Sequence, residues 1–155
     1  MYLSGYDNLK ITANNYKNIS NDRINEVIKI VGLENRIKDK VSKYSLGMRQ
    51  RLGIAQAIIN KPELLILDEP TNGLDVEGII EIRNLIKDLS KKGIAILISS
   101  HNLTEIDNLC NRIIAIKKGK IVADDTIENF TTISGNKKLT LEEAFIKKVG
   151  ENKID

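Results

Sequence analysis

The chain has 155 residues, of which 41% are hydrophobic and 29% charged, and this is enough for one globular domain with a sizeable core. A formal net charge of +3 is too small and too dispersed to indicate a nucleic acid or a membrane surface as partner. No stretch approaches the roughly 20 apolar residues of a membrane span, and the start of the chain has no signal-peptide core. The single cysteine, Cys110, excludes an internal disulfide and fits a reducing cytosol.

The first part of the chain is predicted to be mostly helical. The apolar residues between Asp22 and Val31 fall on one helix face, and Gly32 is expected to end that helix. A second helix is predicted to begin at Ser45 and to end before Pro62.

The start of that second helix also has the features of an anion site. Ser45 can cap the helix and offer its hydroxyl, and Gly47 lets a phosphate approach the backbone closely. The helix N-terminus adds partial positive charge. Taken alone, these residues favour an ordinary capped helix.

An unbroken apolar run, Leu64 to Leu67, ends in two adjacent carboxylates, Asp68 and Glu69. Such a run is typical of a strand buried on both faces of a parallel sheet, and ligands bind at the carboxyl ends of such strands. Two acids there are costly unless a cation or hydrogen bonds compensate for their burial. A magnesium nucleotide would do so, with Asp68 serving Mg²⁺ and Glu69 polarising a water. A plain strand that ends in a solvated acidic turn is nearly as compatible with these six residues alone.

The pattern that follows is α/β. A helix is predicted over about Val76 to Ser90, and Gly93 is expected to break it. The run from Ile94 to Ile98 predicts a second buried strand that ends at His101. Strands alternating with helices favour an α/β fold with a parallel sheet.

The last third of the chain is predicted to contain two short helices and a hairpin. Asn102, with Glu105 three residues later, resembles a capping box that opens the first helix. Two short apolar stretches, Ile113 to Ile116 and Lys120 to Ala123, predict a hairpin. Thr140, with an acid three residues later, is expected to open the last helix.

From about Tyr2 to Lys148 the chain resembles the second half of the ATP-binding subunit of an ATP-binding cassette (ABC) transporter. The resemblance is to bacterial exporters of the bacitracin and lantibiotic resistance type. Four motifs occur in the family's order: Tyr44 to Arg51 is similar to the signature motif, Leu64 to Glu69 to Walker B, Asn72 to Asp75 to the D-loop, and Ser99 to His101 to the switch-histidine loop. Four motifs in register over nearly the whole chain make this resemblance specific.

The resemblance implies a division of roles at the nucleotide. Asp68 would support Mg²⁺ through water, Glu69 would act as general base, and His101 would hold the γ-phosphate and the attacking water. The signature residues would contact an ATP held by a second ATPase subunit, and the D-loop would carry communication across this dimer. These residues are Ser45, Gly47, Gln50 and, in the D-loop, Asp75. Leu46 and Met48 replace the glycine and glutamine that the family commonly has.

The phosphate-cradling Walker A loop does not occur in these 155 residues. The only Gly-Lys pair, Gly119-Lys120, is followed by Ile121 where serine or threonine is required. The Q-loop glutamine is absent too. The fold expected by resemblance is therefore an incomplete P-loop NTPase core plus the helical signature subdomain. Since the strand before Walker A is also missing, the strand that ends at His101 is expected to keep an unpaired edge.

The resemblance divides the chain into three segments and implies its partners. Residues 1–60 would be the helical signature subdomain, 61–131 the C-terminal part of the ATPase core, and 132–155 a helical tail. ATP and Mg²⁺ are the expected cofactors of a complete cassette. The expected partners are a transmembrane permease and a second ATPase subunit, with no nucleic acid. The location implied is cytoplasmic, on the inner face of the membrane through the permease.

Three functions are compatible with this sequence. The first is an ATP-binding subunit that couples hydrolysis to export through a partner permease. The second is a non-catalytic docking module that donates only its signature motif to an intact cassette. A translation or repair ATPase is the third, and the absence of a nucleic-acid-binding insertion argues against it. The transported substrate cannot be read, because its specificity lies in the membrane partner.

Overall fold

The computed structural model of the chain describes residues 2–133 and 137–150, and it divides into two compact units at the Ser99–Ser100 bond. The predicted segment boundaries after residues 60 and 131 are not tested by this division and stay predictions. Part of the predicted tail, residues 134–136 and 151–155, lies outside the described residues. Among the helices in the described ranges, none is long and apolar enough to cross a membrane.

The first unit is helical up to residue 58 and mixed after it. Its elements are α1 (Gly5–Asn14), α2 (Asn21–Ile30), a 3₁₀ turn (Val41–Lys43), α3 (Leu46–Ile58), β1 (Leu64–Asp68), α4 (Val76–Lys91) and β2 (Ala95–Ser99). Every α-helix of this unit begins at a side-chain cap, which satisfies an amide that the helix cannot. The caps are Ser4, Ser20, Ser45 and Asp75. The predicted helical start of the chain is confirmed, as are the predicted cap of α3 at Ser45 and the predicted end of α2 at Gly32, which has φ of 65°.

The core of the first unit lies among α1, α2 and α3. Leu9, Val27 and Ile59 are fully buried there. Tyr44 is also buried, and its hydroxyl donates a hydrogen bond of 2.9 Å to the Arg36 carbonyl oxygen. Burial raises the pKa of Tyr44, so this phenol stays protonated as a donor throughout the physiological range.

The sheet of the first unit is a parallel pair, β1 and β2, with only one face covered. Leu65 and Leu67 are buried, whereas Leu64, Ile66 and Leu97 on the other face are 52%, 65% and 49% exposed. Leu64 to Leu67 form the predicted strand, and one of its two apolar faces stays exposed in the described chain. Within the described residues β2 pairs with β1 alone, as predicted for its unpaired edge.

The second unit is built from short elements. They are α5 (Leu103–Leu109), β3 (Arg112–Lys117), β4 (Lys120–Thr126), α6 (Ile127–Thr131), β5 (Thr132–Ile133), β6 (Lys137–Lys138), α7 (Leu141–Phe145) and a π-helical turn (Ile146–Gly150). The core forms around Phe130, Leu141 and Ala144.

The predicted hairpin and helix starts of the second unit are confirmed. Lys118 and Gly119 both have positive φ, as a two-residue type I′ turn requires. Asn102 accepts hydrogen bonds from two amides of α5, and Thr140 forms a complete capping box with Glu143. The sequence reasoning did not predict α6, β5 or β6.

Candidate functional site

The first group of site residues lies at the carboxyl end of β1. Asp68 faces Ser99 across the parallel pair, and the Ser99 hydroxyl donates to Asp68 Oδ1. The Glu69 amide donates to the Ser99 carbonyl oxygen at 3.0 Å. Glu69 has φ of 45°, a left-handed conformation that is uncommon outside glycine and often found at functional sites. The backbone thus turns sharply at the second carboxylate and is held there by Ser99.

The oxygens at this end of β1 suit a magnesium ion. The Asp68 carboxylate is exposed, and the Ser99 hydroxyl beside it is a further hard oxygen donor. Nowhere in residues 2–133 and 137–150 do three or more His, Cys, Asp or Glu side chains form a group that could hold a metal. A carboxylate such as Asp68 is the kind of protein ligand that Mg²⁺ uses, with water and phosphate oxygens as its other ligands.

The second group lines a cleft of about 480 Å³ between the N-terminal ends of α3 and α4. Ser45 Oγ accepts the Met48 amide at 3.2 Å, and Asp75 Oδ1 accepts the Gly78 amide at 2.9 Å. Both capping side chains line this cleft together with Gly47. The predicted signature and D-loop residues are thus brought together within one unit. The N-terminal end of α3 supplies the partial positive charge that an anion needs.

The signature turn packs directly on the D-loop. Gly73 has φ of +74°, and a Cβ built there would lie 3.2 Å from Leu46 Cδ2. A Cβ on Gly47 would lie 3.8 Å from Leu74 Cδ2, which is an ordinary contact. The chain itself therefore leaves room for a side chain at Gly47, and the need for glycine there would come from a ligand.

The remaining predicted site residues are Gln50 and His101. Gln50 is half-buried on α3 and does not line the cleft. His101 is exposed and is the second residue of the second unit, two residues after β2 ends. Its meeting with Glu69 stays a prediction.

The sequence reasoning missed two contacts in the first unit. The bond between Ser99 and Asp68 could have been found, because the parallel register puts these strand ends opposite each other. The ion pair between Arg51 and Glu81, 3.0 Å, carries no local sequence signal.

Comparison with known proteins identifies relatives of this chain. The family model described as ABC transporter matches residues 1–72. An uncharacterized ABC transporter ATP-binding protein of Bacillus subtilis, YdbJ, is 53% identical over 82% of this chain and 42% of its own length. The bacitracin transport ATP-binding protein BcrA of Bacillus licheniformis is 50% identical, over 79% of this chain and 40% of its own. The lantibiotic transport ATP-binding protein SrtF of Streptococcus pyogenes is 45% identical, over 86% of this chain and 59% of its own.

Solved structures share the fold. The structure of an ATP-binding subunit of an ABC transporter superposes with a TM-score of 0.79 at 25% identity, covering 95% of this chain and 62% of that one. This confirms the α/β ABC ATPase fold. The chain spans between two fifths and three fifths of the length of the curated relatives named above.

Proposed function

Since the chain belongs to the family of ABC transporter ATP-binding subunits, we propose that it serves the ATP site that drives export by a partner permease. The observation that carries this proposal is the clustering of the motifs within the first unit. Ser45, Gly47 and Asp75 line one cleft, while Asp68 and Glu69 end the strand beside Ser99. The names of the bacitracin and lantibiotic transport relatives support export of a similar kind.

In this proposal the residues at the carboxyl end of β1 carry out ATP hydrolysis. Asp68 would hold Mg²⁺ through water, and Mg²⁺ bound with ATP would neutralise the charge of the reacting phosphoryl group. Glu69 would take the proton of the attacking water, and Ser99 holds the turn on which Glu69 lies. His101 would hold the γ-phosphate and the attacking water.

The signature side is proposed to act on a second subunit. Ser45, Gly47 and Gln50 would meet the γ-phosphate of an ATP held by another ATPase subunit, and Asp75 would couple the two sites. The partners proposed are therefore that subunit and a transmembrane permease, at the cytoplasmic face of the membrane, without nucleic acid. The alternative proposal is a docking module that only donates its signature.

The polypeptide of residues 1–155 is expected to bind MgATP poorly by itself. It lacks the amide cradle and the lysine that a Walker A loop gives to the phosphates, and charge-assisted hydrogen bonds of about 1.5–3 kcal/mol each are lost. Calorimetric titration with MgATP checks this. Micromolar affinity with steady turnover would contradict the prediction.

Replacing Ser45 with arginine is expected to abolish ATP-dependent association with an intact ABC ATP-binding subunit. The long cation would fill the cleft and remove the hydroxyl that caps α3. Sedimentation with and without MgATP measures the association. Ser20→Arg is the matched control, because Ser20 caps α2 in the same way and does not line the cleft. Equal association of wild type and Ser45→Arg would refute the assignment of this site to a partner's ATP.

A further inference from the structure

One arginine links the signature helix to two other elements of the first unit. Arg51 lies on α3, and its side chain is 20% exposed. Its Nη2 is 3.0 Å from Glu81 Oε2 on α4, and its Nη1 donates to the Gly32 carbonyl oxygen, just after α2, at 3.4 Å. The guanidinium therefore joins α3, on which Arg51 lies, to α4 and to the turn after α2, in the fork geometry that lysine cannot reproduce.

The ion pair sits at matching positions on the two helices that frame the cleft. Arg51 follows the cap Ser45 by six residues, and Glu81 follows the cap Asp75 by six residues. Six residues of helix extend about 9 Å, so the pair joins α3 and α4 about one and two-thirds turns behind both caps. Nearer the caps, Leu46 lies close to Gly73, and Leu74 lies close to Gly47. The ion pair adds a further connection between these two parts of the first unit.

We propose that Arg51 is a positioning residue that, through Glu81, fixes the signature turn against the start of α4 and so sets the opening of the cleft. The inference rests on the proposed function, in which this cleft meets a partner's ATP. Arg51 touches no nucleotide in this scheme; it fixes the separation between Ser45, which would meet the partner's ATP, and Asp75, which would couple the two sites. Loss of the Arg51 side chain is therefore expected to weaken association with the partner subunit.

The effect of Glu81→Gln on association distinguishes positioning from simple electrostatic attraction of phosphate. Asp75, Glu77 and Glu81 make the α4 side of the cleft acidic. If electrostatics alone mattered, removing one carboxylate would strengthen the binding of an anion, because it lowers the Coulomb repulsion. Positioning predicts the opposite. We expect Arg51→Gln and Glu81→Gln each to weaken ATP-dependent association with an intact subunit about 10-fold, and the swapped pair Arg51→Glu/Glu81→Arg to recover to within about 3-fold of wild type.

A matched control separates positioning from loss of stability. Arg23 also ties α3 to α2: its guanidinium donates to the Ile58 and Ile59 carbonyl oxygens at the far end of α3. We expect Arg23→Gln to lower the urea midpoint at least as much as Arg51→Gln does, with association unchanged. Strengthened or unaltered association in Glu81→Gln, or equal association losses in Arg23→Gln and Arg51→Gln, would overturn the inference.

A distance measurement without nucleotide tests whether the Arg51–Glu81 ion pair fixes α3 against α4. Spin labels at Gly53 and Ile80, both exposed, report the separation of α3 and α4 when Cys110 is replaced by serine. Arg51→Gln and Glu81→Gln are expected to broaden the distance distribution, and Arg23→Gln to leave its width unchanged. A wild-type chain that never associates with the partner would refute the proposed function. An unbroadened distance distribution in both Arg51→Gln and Glu81→Gln would refute the positioning role of the ion pair.

Discussion

Gly5→Ala is expected to destabilise the helical core of the first unit by about 2–3 kcal/mol, because no space exists for one additional methyl group. A Cβ at Gly5 would lie 2.2 Å from Tyr44 Oη and 3.1 Å from the Ile37 carbonyl oxygen. Tyr44 is buried and tied to the Arg36 carbonyl oxygen, so it cannot swing away without leaving that oxygen unpaired. The start of α1 must move instead. Urea unfolding followed by far-ultraviolet circular dichroism, with amide exchange at Leu9 and Val27, measures the loss.

Two further variants make the Gly5 result specific. Gly53 lies inside α3 with nothing within 4 Å of its added Cβ, so Gly53→Ala is expected to stabilise by about 0.5–1 kcal/mol through helix propensity. Adding Tyr44→Phe to Gly5→Ala removes the nearest clashing atom and should recover part of the loss. If Gly5→Ala and Gly53→Ala shift the urea midpoint in the same direction, the steric argument is wrong.

Local chemistry determined the features that could be predicted from sequence. The helix starts at Ser45 and Thr140 follow from side chains that satisfy nearby amides, and the turn at Lys118 and Gly119 follows from its glycine. The motif residues Asp68 and Glu69 were found because carboxylates after an apolar run are chemically unusual. Each of these signals lies within a few residues of the structure it predicts.

The missed features depend on residues far apart in the chain. Gly5 and Tyr44 meet across 39 positions, and Arg51 and Glu81 across 30, so neither pair leaves a periodic or capping signal. The exposed face of β1 has a related explanation. A continuous apolar run shows that both faces can be buried, but coverage of the face with Ile66 depends on a layer that the described chain does not contain.

In an ATP-hydrolysing cassette that contains this chain, Glu69→Gln is expected to keep ATP binding and to lower turnover by at least about 100-fold, the usual minimum for losing a general base. Such a cassette can be made by fusing residues 1–155 behind the amino-terminal part of an intact ABC ATP-binding subunit. Phosphate release measures turnover, and nucleotide titration measures binding. Asp68→Asn is expected to weaken Mg²⁺-dependent binding instead, because this carboxylate serves the metal.

The geometry at the end of β1 indicates that Glu69→Gln leaves the backbone turn in place. The turn at Glu69 is held by backbone atoms: its amide donates to the Ser99 carbonyl oxygen at 3.0 Å, and its carbonyl oxygen accepts the Asn72 amide at 3.1 Å. Glutamine keeps these backbone bonds and the side-chain length, and the substitution removes the charge and the capacity to take a proton. A fall in turnover would then report chemistry and not a displaced strand end. Equal loss of ATP binding in Glu69→Gln and Asp68→Asn would reject the division of roles between the two carboxylates.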